Sequence, residues 1–206
     1  MIVPDIEWAA VFGEVLDQPD GAADDEIEEF LSTAQQPLSA VELAYLKKSH
    51  AEPDRWKIPD GQLPPAYLSL LRWSNGGEFR NSERLFHFFP ALDETHGVRV
   101  MMLEYGVPYY TPGILPFAFN GGAVFYAFDM RLRADSGGEY PIVAAECGHS
   151  HSPMPVAASF LDVCSGHRDI IDLWDEEDEI TRPMCDDCGE YLVCPECGHR
   201  GPTVHG

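Results

Sequence analysis

Of the residues in this chain that could do chemistry, the cysteines stand out by spacing, and four of the six fall in two matching turns. Cys185 and Cys188 are followed by Gly189, and Cys194 and Cys197 by Gly198. A tetrahedral ion such as Zn2+ needs four soft donors converging from separate pieces of backbone. A Cys-x-x-Cys turn aims two sulfurs at one spot, and the glycine behind it can take the positive φ that folds the chain back. The repeat predicts a structural zinc site with Cys185, Cys188, Cys194 and Cys197 as its ligands. The connector from Gly189 to Val193 is shorter than usual for a zinc ribbon, so the site needs a tight hairpin or sharing between two chains. The competing readings are a disulfide pair or free thiols.

Other groupings are weaker. Cys147, His149 and His151 alternate, which on a continuing strand would aim all three at one face, but Gly148 and Ser150-His151-Ser152-Pro153 read as the end of a strand. Cys164 and His167 are three apart and could pair as nucleophile and base on a helix, yet Cys164 falls on the apolar side and no third orienting group is evident. Asp129 and Glu139 lie near strand ends, where two carboxylates could share acid and base roles. Carboxylates are too abundant here for that pair to be singled out. His199 and His205 could replace a thiolate, but four cysteines already complete a site. The pairs Gly76-Gly77 and Gly121-Gly122 are not followed by the Lys of a phosphate loop and read as turns. No Gly-x-Ser-x-Gly elbow or His-Glu-x-x-His helix occurs, so the sequence points away from an enzyme.

The charge narrows the partners. Thirteen Lys and Arg face 35 Asp and Glu, a formal charge of −22. That disfavours nucleic-acid phosphates and anionic membranes and suits a basic protein partner. The imbalance is concentrated: no Lys or Arg precedes Lys47, while ten carboxylates from Asp5 to Glu29 crowd the start. A second acidic run, Asp175 to Glu179, precedes the cysteine pairs. No apolar run approaches the ~18 residues of a membrane span. Asp5 and Glu7 without a basic residue argue against a signal peptide. The expected compartment is a reducing cytoplasm, which favours metal over disulfide at the paired cysteines.

The elements that would position these groups follow from periodicity and punctuation. Residues 24–35 place Ile27, Phe30, Leu31 and Ala34 on one helical face, with Asp24 and Asp25 at the positive end of the dipole. Ser39 and Glu42 form a capping box ahead of Val41, Leu43, Ala44 and Leu46. A third helix starts at Pro64-Pro65 and stops at Asn75-Gly76-Gly77. Leu85 to Phe89 reads as a strand, Val98 to Tyr105 as a helix, and Leu115–Phe119 with Val124–Asp129 as a hairpin around Asn120-Gly121-Gly122. Tyr140 to Ala145 is a further strand. Pro155 is expected to open a helix with Val156, Phe160, Leu161 and Cys164 on its apolar side.

The succession Leu63-Pro64-Pro65-Ala66-Tyr67 to Asn75-Gly76-Gly77, then Leu115-Pro116-Phe117-Ala118-Phe119-Asn120-Gly121-Gly122 and Phe125-Tyr126-Ala127-Phe128-Asp129, resembles the Smi/Knr cell-wall regulator family, the SUKH superfamily. Tyr140-Pro141-Ile142-Val143 and Ala158-Ser159-Phe160-Leu161 complete the series over residues 23–166. The resemblance implies an α+β fold, a single curved and mostly antiparallel sheet braced by helices. It also implies a non-catalytic protein-binding role, in bacteria that of an immunity protein that neutralises a toxin domain. The motif residues are implied to be scaffold and define no active site. The expected organisation is an acidic segment 1–22, a SUKH-like domain 23–170, an acidic linker 171–182 and a zinc-binding appendage 183–206. The alternative function is a regulatory adaptor that recognises its partner through a C-terminal zinc hairpin.

Overall fold

The computed structural model describes residues 5–50, 52–148 and 153–173. The chain divides into a unit ending at His167 and a second beginning at Arg168. Of the second unit the described part is short: the Asp169 carboxylate accepts from the N–H of Ile171 at 2.7 Å as a helical turn begins.

The first unit is built on one open antiparallel sheet whose seven strands lie side by side in chain order, β1 to β7. They are β1 (Glu14–Asp17), β2 (Gly77–Asn81), β3 (Arg84–Phe88), β4 (Ile114–Phe119), β5 (Val124–Asp129), β6 (Ile142–Glu146) and β7 (Met154–Ala157). Helices enter between strands: α1 (Trp8–Val11) before β1, then α2 (Asp24–Thr33), α3 (Ala40–Leu46) and α4 (Pro65–Trp73) between β1 and β2. The shorter α5 (Val98–Glu104) and α6 (Val107–Tyr110) separate β3 from β4, and α7 (Phe160–Cys164) follows β7. This is the α+β class expected from the sequence. Among the described residues no helix is long and apolar enough to cross a membrane.

Alternation decides which face each strand buries. On β3, Phe86 and Phe88 are buried while Leu85 and His87, which alternate with them, are only half covered. β4 and β5 are buried nearly throughout, because helices cover both of their faces. The main core joins Phe79, Phe86, Phe88, Phe117, Tyr126 and Phe128 to Tyr67 of α4 and Phe160 of α7. Each such side chain contributes about 1.5–3 kcal/mol through burial. A smaller cluster on the opposite side sets Tyr105 edge-on against Phe119 and Phe125.

The hairpin, the α4 helix, the Ser39 capping box and the helix over Val98–Glu104 form where expected. Several expectations need correction. Residues 8–17, inside the acidic segment 1–22, supply a helix and an edge strand. Trp8 is 1% exposed, donates its indole N–H to Ser69 Oγ at 3.1 Å and packs on Phe12 and Phe160. Leu31 and Val41 do not join the core, since α2 and α3 bury only a narrow stripe carrying Ile27, Phe30, Ala34 and Leu46. Pro155 opens no helix: Met154–Ala157 pairs with β6 as the last strand, where an edge position tolerates proline. The helix starts instead at Phe160, capped by the Ser159 hydroxyl, which accepts from the N–H of Asp162 at 3.2 Å. Leu161 points outward.

The acidic run at 175–179 and the cysteine appendage lie outside the described residues.

Candidate protein-binding surface

β1 borders the sheet, and all four of its residues are exposed. Exposure continues from Gly13 through Gly21, and Asp24, Asp25, Glu28 and Glu29 of α2 extend the acidic surface. Two of these carboxylates have cations: Glu14 meets Arg80 at 3.4 Å and Asp24 meets Arg72 at 3.1 Å. Asp17, Asp20, Asp25, Glu28 and Glu29 have no ion-pair partner among the described residues. Such a run of unopposed charge raises the local negative potential and draws in basic surfaces.

This acidic segment is held by hydrogen bonds to the end of α4 and to the turn between α4 and β2. The N–H of Ala22 donates to Leu71 O at 2.8 Å, that of Asn75 to Asp20 O at 3.1 Å, and Ser74 Oγ donates to Pro19 O at 3.2 Å. Gly77 permits the approach. Its φ is +109°, and a Cβ there would stand 2.6 Å from Asp17 O and 2.8 Å from Pro19 Cδ. Only glycine satisfies both demands.

A second concave feature is a groove of about 750 Å3 between the 53–60 loop, the α2–α3 region and Met130. Pro53, Trp56 and Pro59 wall one side, Leu38 and Leu43 another. Trp56 also borders a neighbouring cleft with Tyr109 and Pro112, its ring centroid 6.4 Å from that of Tyr109. The Trp56 indole N–H is buried and has no acceptor among the described residues. The charged side chains that line it are of both signs, Lys57 with Asp54 and Asp60. A groove of prolines and aromatics suits apolar side chains.

Residues 55–166, more than half of the chain, match the SMI1/KNR4 family (SUKH-1). The chain therefore belongs to the SMI1/KNR4 family. No curated protein matches it. Family membership is compatible with a protein-binding, immunity-type role and with the absence of a shared active site. β1, α2 and α3 all precede the matched segment, so the acidic edge lies outside what the SUKH match covers, whereas Trp56, Tyr109 and Met130 fall within it.

Within this SUKH body the candidate residues read from sequence take structural places. Cys164 is wholly buried, and burial pushes its thiol well above the usual range, so it stays protonated. Its carbonyl accepts from Asn81 Nδ2, which also donates to Val11 O, tying α7 and α1 to β2 at 3.2 Å each. Cys147 is half-buried, and burial, with the Glu146 charge adding, pushes its thiol up to about 12. Its N–H donates to Ala123 O at 2.8 Å, while His149 and His151 lie outside the described residues. Asp129 is committed to Arg131, with oxygens 2.6 and 2.8 Å from its Nε and Nη2. Glu139 accepts from the N–H of Phe160 at 3.2 Å, and burial raises its pKa. Each carboxylate thus braces a chain turn. Among the described residues no three His, Cys, Asp or Glu side chains gather as a metal site. Cys185, Cys188, Cys194, Cys197, His199 and His205 are outside those residues.

The sequence reading missed β1 and the Trp56 groove. Both left a signal: Glu14-Val15-Leu16-Asp17 is a short apolar step between Gly13 and Pro19, and Trp56 is a large aromatic in a loop punctuated by Pro53 and Pro59.

Proposed function

We propose that this chain is a non-catalytic protein-binding module of the immunity type, which neutralises a basic toxin domain by covering it directly. The observation that carries the reading is the acidic surface from Glu14 to Glu29, exposed over most of its length, pinned to a SUKH body, and with Asp17, Asp20, Asp25, Glu28 and Glu29 in no ion pair among the described residues. Opposite charge steers encounter and accelerates association, an effect that salt removes. The reading is tested by capturing partners from the native host at low and high salt. A basic protein held at low salt and released at high salt supports it; recovery of no basic protein counts against it.

A second reading rests on the paired cysteines. Cys185, Cys188, Cys194 and Cys197 supply four thiolates, a donor set suited to structural zinc. In that reading the chain is an adaptor whose C-terminal segment recognises the partner. Deleting residues 181–206 separates the two: an adaptor loses its partner, and a SUKH-type binder keeps it.

A further inference from the structure

We infer that β1 is an open docking strand, and that it takes an extended, lysine- or arginine-bearing segment of the partner as an eighth strand of the sheet. The inference deepens the proposed function and rests on it for the partner's basic character.

The two borders of the sheet are built differently. At the β7 border, Pro155 removes one donor from the strand, and Met154 is buried. At the β1 border no proline interrupts Glu14–Asp17, and among the described residues no strand lies on the outer side. A bare border presents main-chain N–H and C=O groups that another strand can satisfy. Val15 is 43% exposed and Leu16 41%, which puts apolar contact area beside that polar row. The register slips between Val15 and Asp17, leaving Leu16 without a partner on β2. The strand is nonetheless fixed, by pairing of Val15 with Phe79 and by the Gly77 contact.

Charge selects the occupant. Edge-to-edge pairing with a second copy would bring Glu14, Asp17 and Asp20 against the same carboxylates, and like charges facing across a strand pair are destabilising. Carboxylates and a bulge of this kind keep an edge from pairing with itself. The same carboxylates favour a strand whose alternate residues are basic. Main-chain bonds would then give the partner its hold and the carboxylates its selection, as in other strand-addition interfaces.

The test uses the full chain, labelled with 15N, and two synthetic probes of about eight residues each. One alternates lysine with valine; the other has equal charge but proline in place of every second valine, so it cannot pair as a strand. The expected result is that the first probe shifts the amides of residues 14–17 and slows their exchange, while the proline probe binds at least about fivefold more weakly. Leu16→Pro should abolish the shifts. Asp17→Lys, which leaves the backbone intact, should weaken binding about fivefold or more. Equal binding of both probes, or shifts centred on the Trp56 indole, would overturn the inference. So would a dimer in sedimentation that Leu16→Pro dissolves. Failure here is separable from failure of the proposed function: a basic toxin held equally by wild type and Leu16→Pro leaves that function standing and removes only the edge.

Discussion

Arg99 and Glu42 meet at two points, Nε to Oε1 at 2.7 Å and Nη2 to Oε2 at 3.0 Å, and the same guanidinium closes the end of α2. Its Nη1 donates to the carbonyls of Thr33, Ala34 and Gln36 at 3.2, 3.1 and 2.8 Å. Thr33 O also accepts from the N–H of Gln36 at 3.2 Å, and the guanidinium adds the donors that a helix end needs. Both side chains are largely covered, so Arg99→Ala leaves the Glu42 carboxylate with the N–H of Ser39 but without its cation, and removes the side-chain donor from the α2 carbonyls. The expected cost is about 3 kcal/mol by urea unfolding. Arg99→Lys should restore little of it, since an ammonium cannot span the forked geometry.

The same pair sets a pH dependence. Hydrogen bonding from the Arg99 guanidinium holds the Glu42 carboxyl at about 2, against an ordinary value of 4.5. A carboxylate whose pKa is lower in the folded state stabilises fully above the unfolded value and ceases to do so as pH falls toward the folded one. The Glu42 contribution should therefore disappear between about pH 4.5 and about 2. Denaturation of Glu42→Gln followed across that interval should lack this portion, about 2 kcal/mol after solvent screening.

Tyr67 sits in the main core with no exposed surface, and its hydroxyl has no hydrogen-bond partner among the described residues. Burial raises its pKa. Removing an unpartnered buried hydroxyl while keeping the ring should help, so Tyr67→Phe is expected to raise stability by about 1 kcal/mol. Calorimetry checks it; a loss of similar size would show that the hydroxyl is satisfied in solution.

Strands and helices with strong local signals were legible in the sequence, and those defined by long-range pairing were not. The α4 helix carries Pro65 at its start and Gly76-Gly77 after its end, so its bounds are written locally. β2 reads Gly77-Glu78-Phe79-Arg80-Asn81, with one apolar residue, and becomes a strand because β1 and β3 flank it. Pro155 reads locally as a helix start, and Met154–Ala157 becomes a strand only by pairing with β6 residues 10 to 15 positions back in sequence. Leu31 and Val41 were misplaced for another reason: periodicity gives a face but not its width. Of the candidate surface, the charge was legible and its position was not, because a run of carboxylates does not reveal that its backbone forms a sheet border.

The metal expectation has a direct check. Reduced protein purified without added metal should carry about one equivalent of zinc per chain by elemental analysis. A variant with Cys185→Ser and Cys188→Ser should lose it. Less than about a tenth of an equivalent of any thiophilic metal would remove the expectation.

On the proposed function, the acidic edge from Glu14 to Glu29 meets a basic protein. The partner captured from the native host, once purified, should associate rapidly at about 0.05 M salt and at least about tenfold more slowly at about 0.5 M. Reversing Asp17, Asp20 and Asp25 to lysine should bring the low-salt rate down to the high-salt one. An association rate indifferent to both salt and charge reversal would contradict the account.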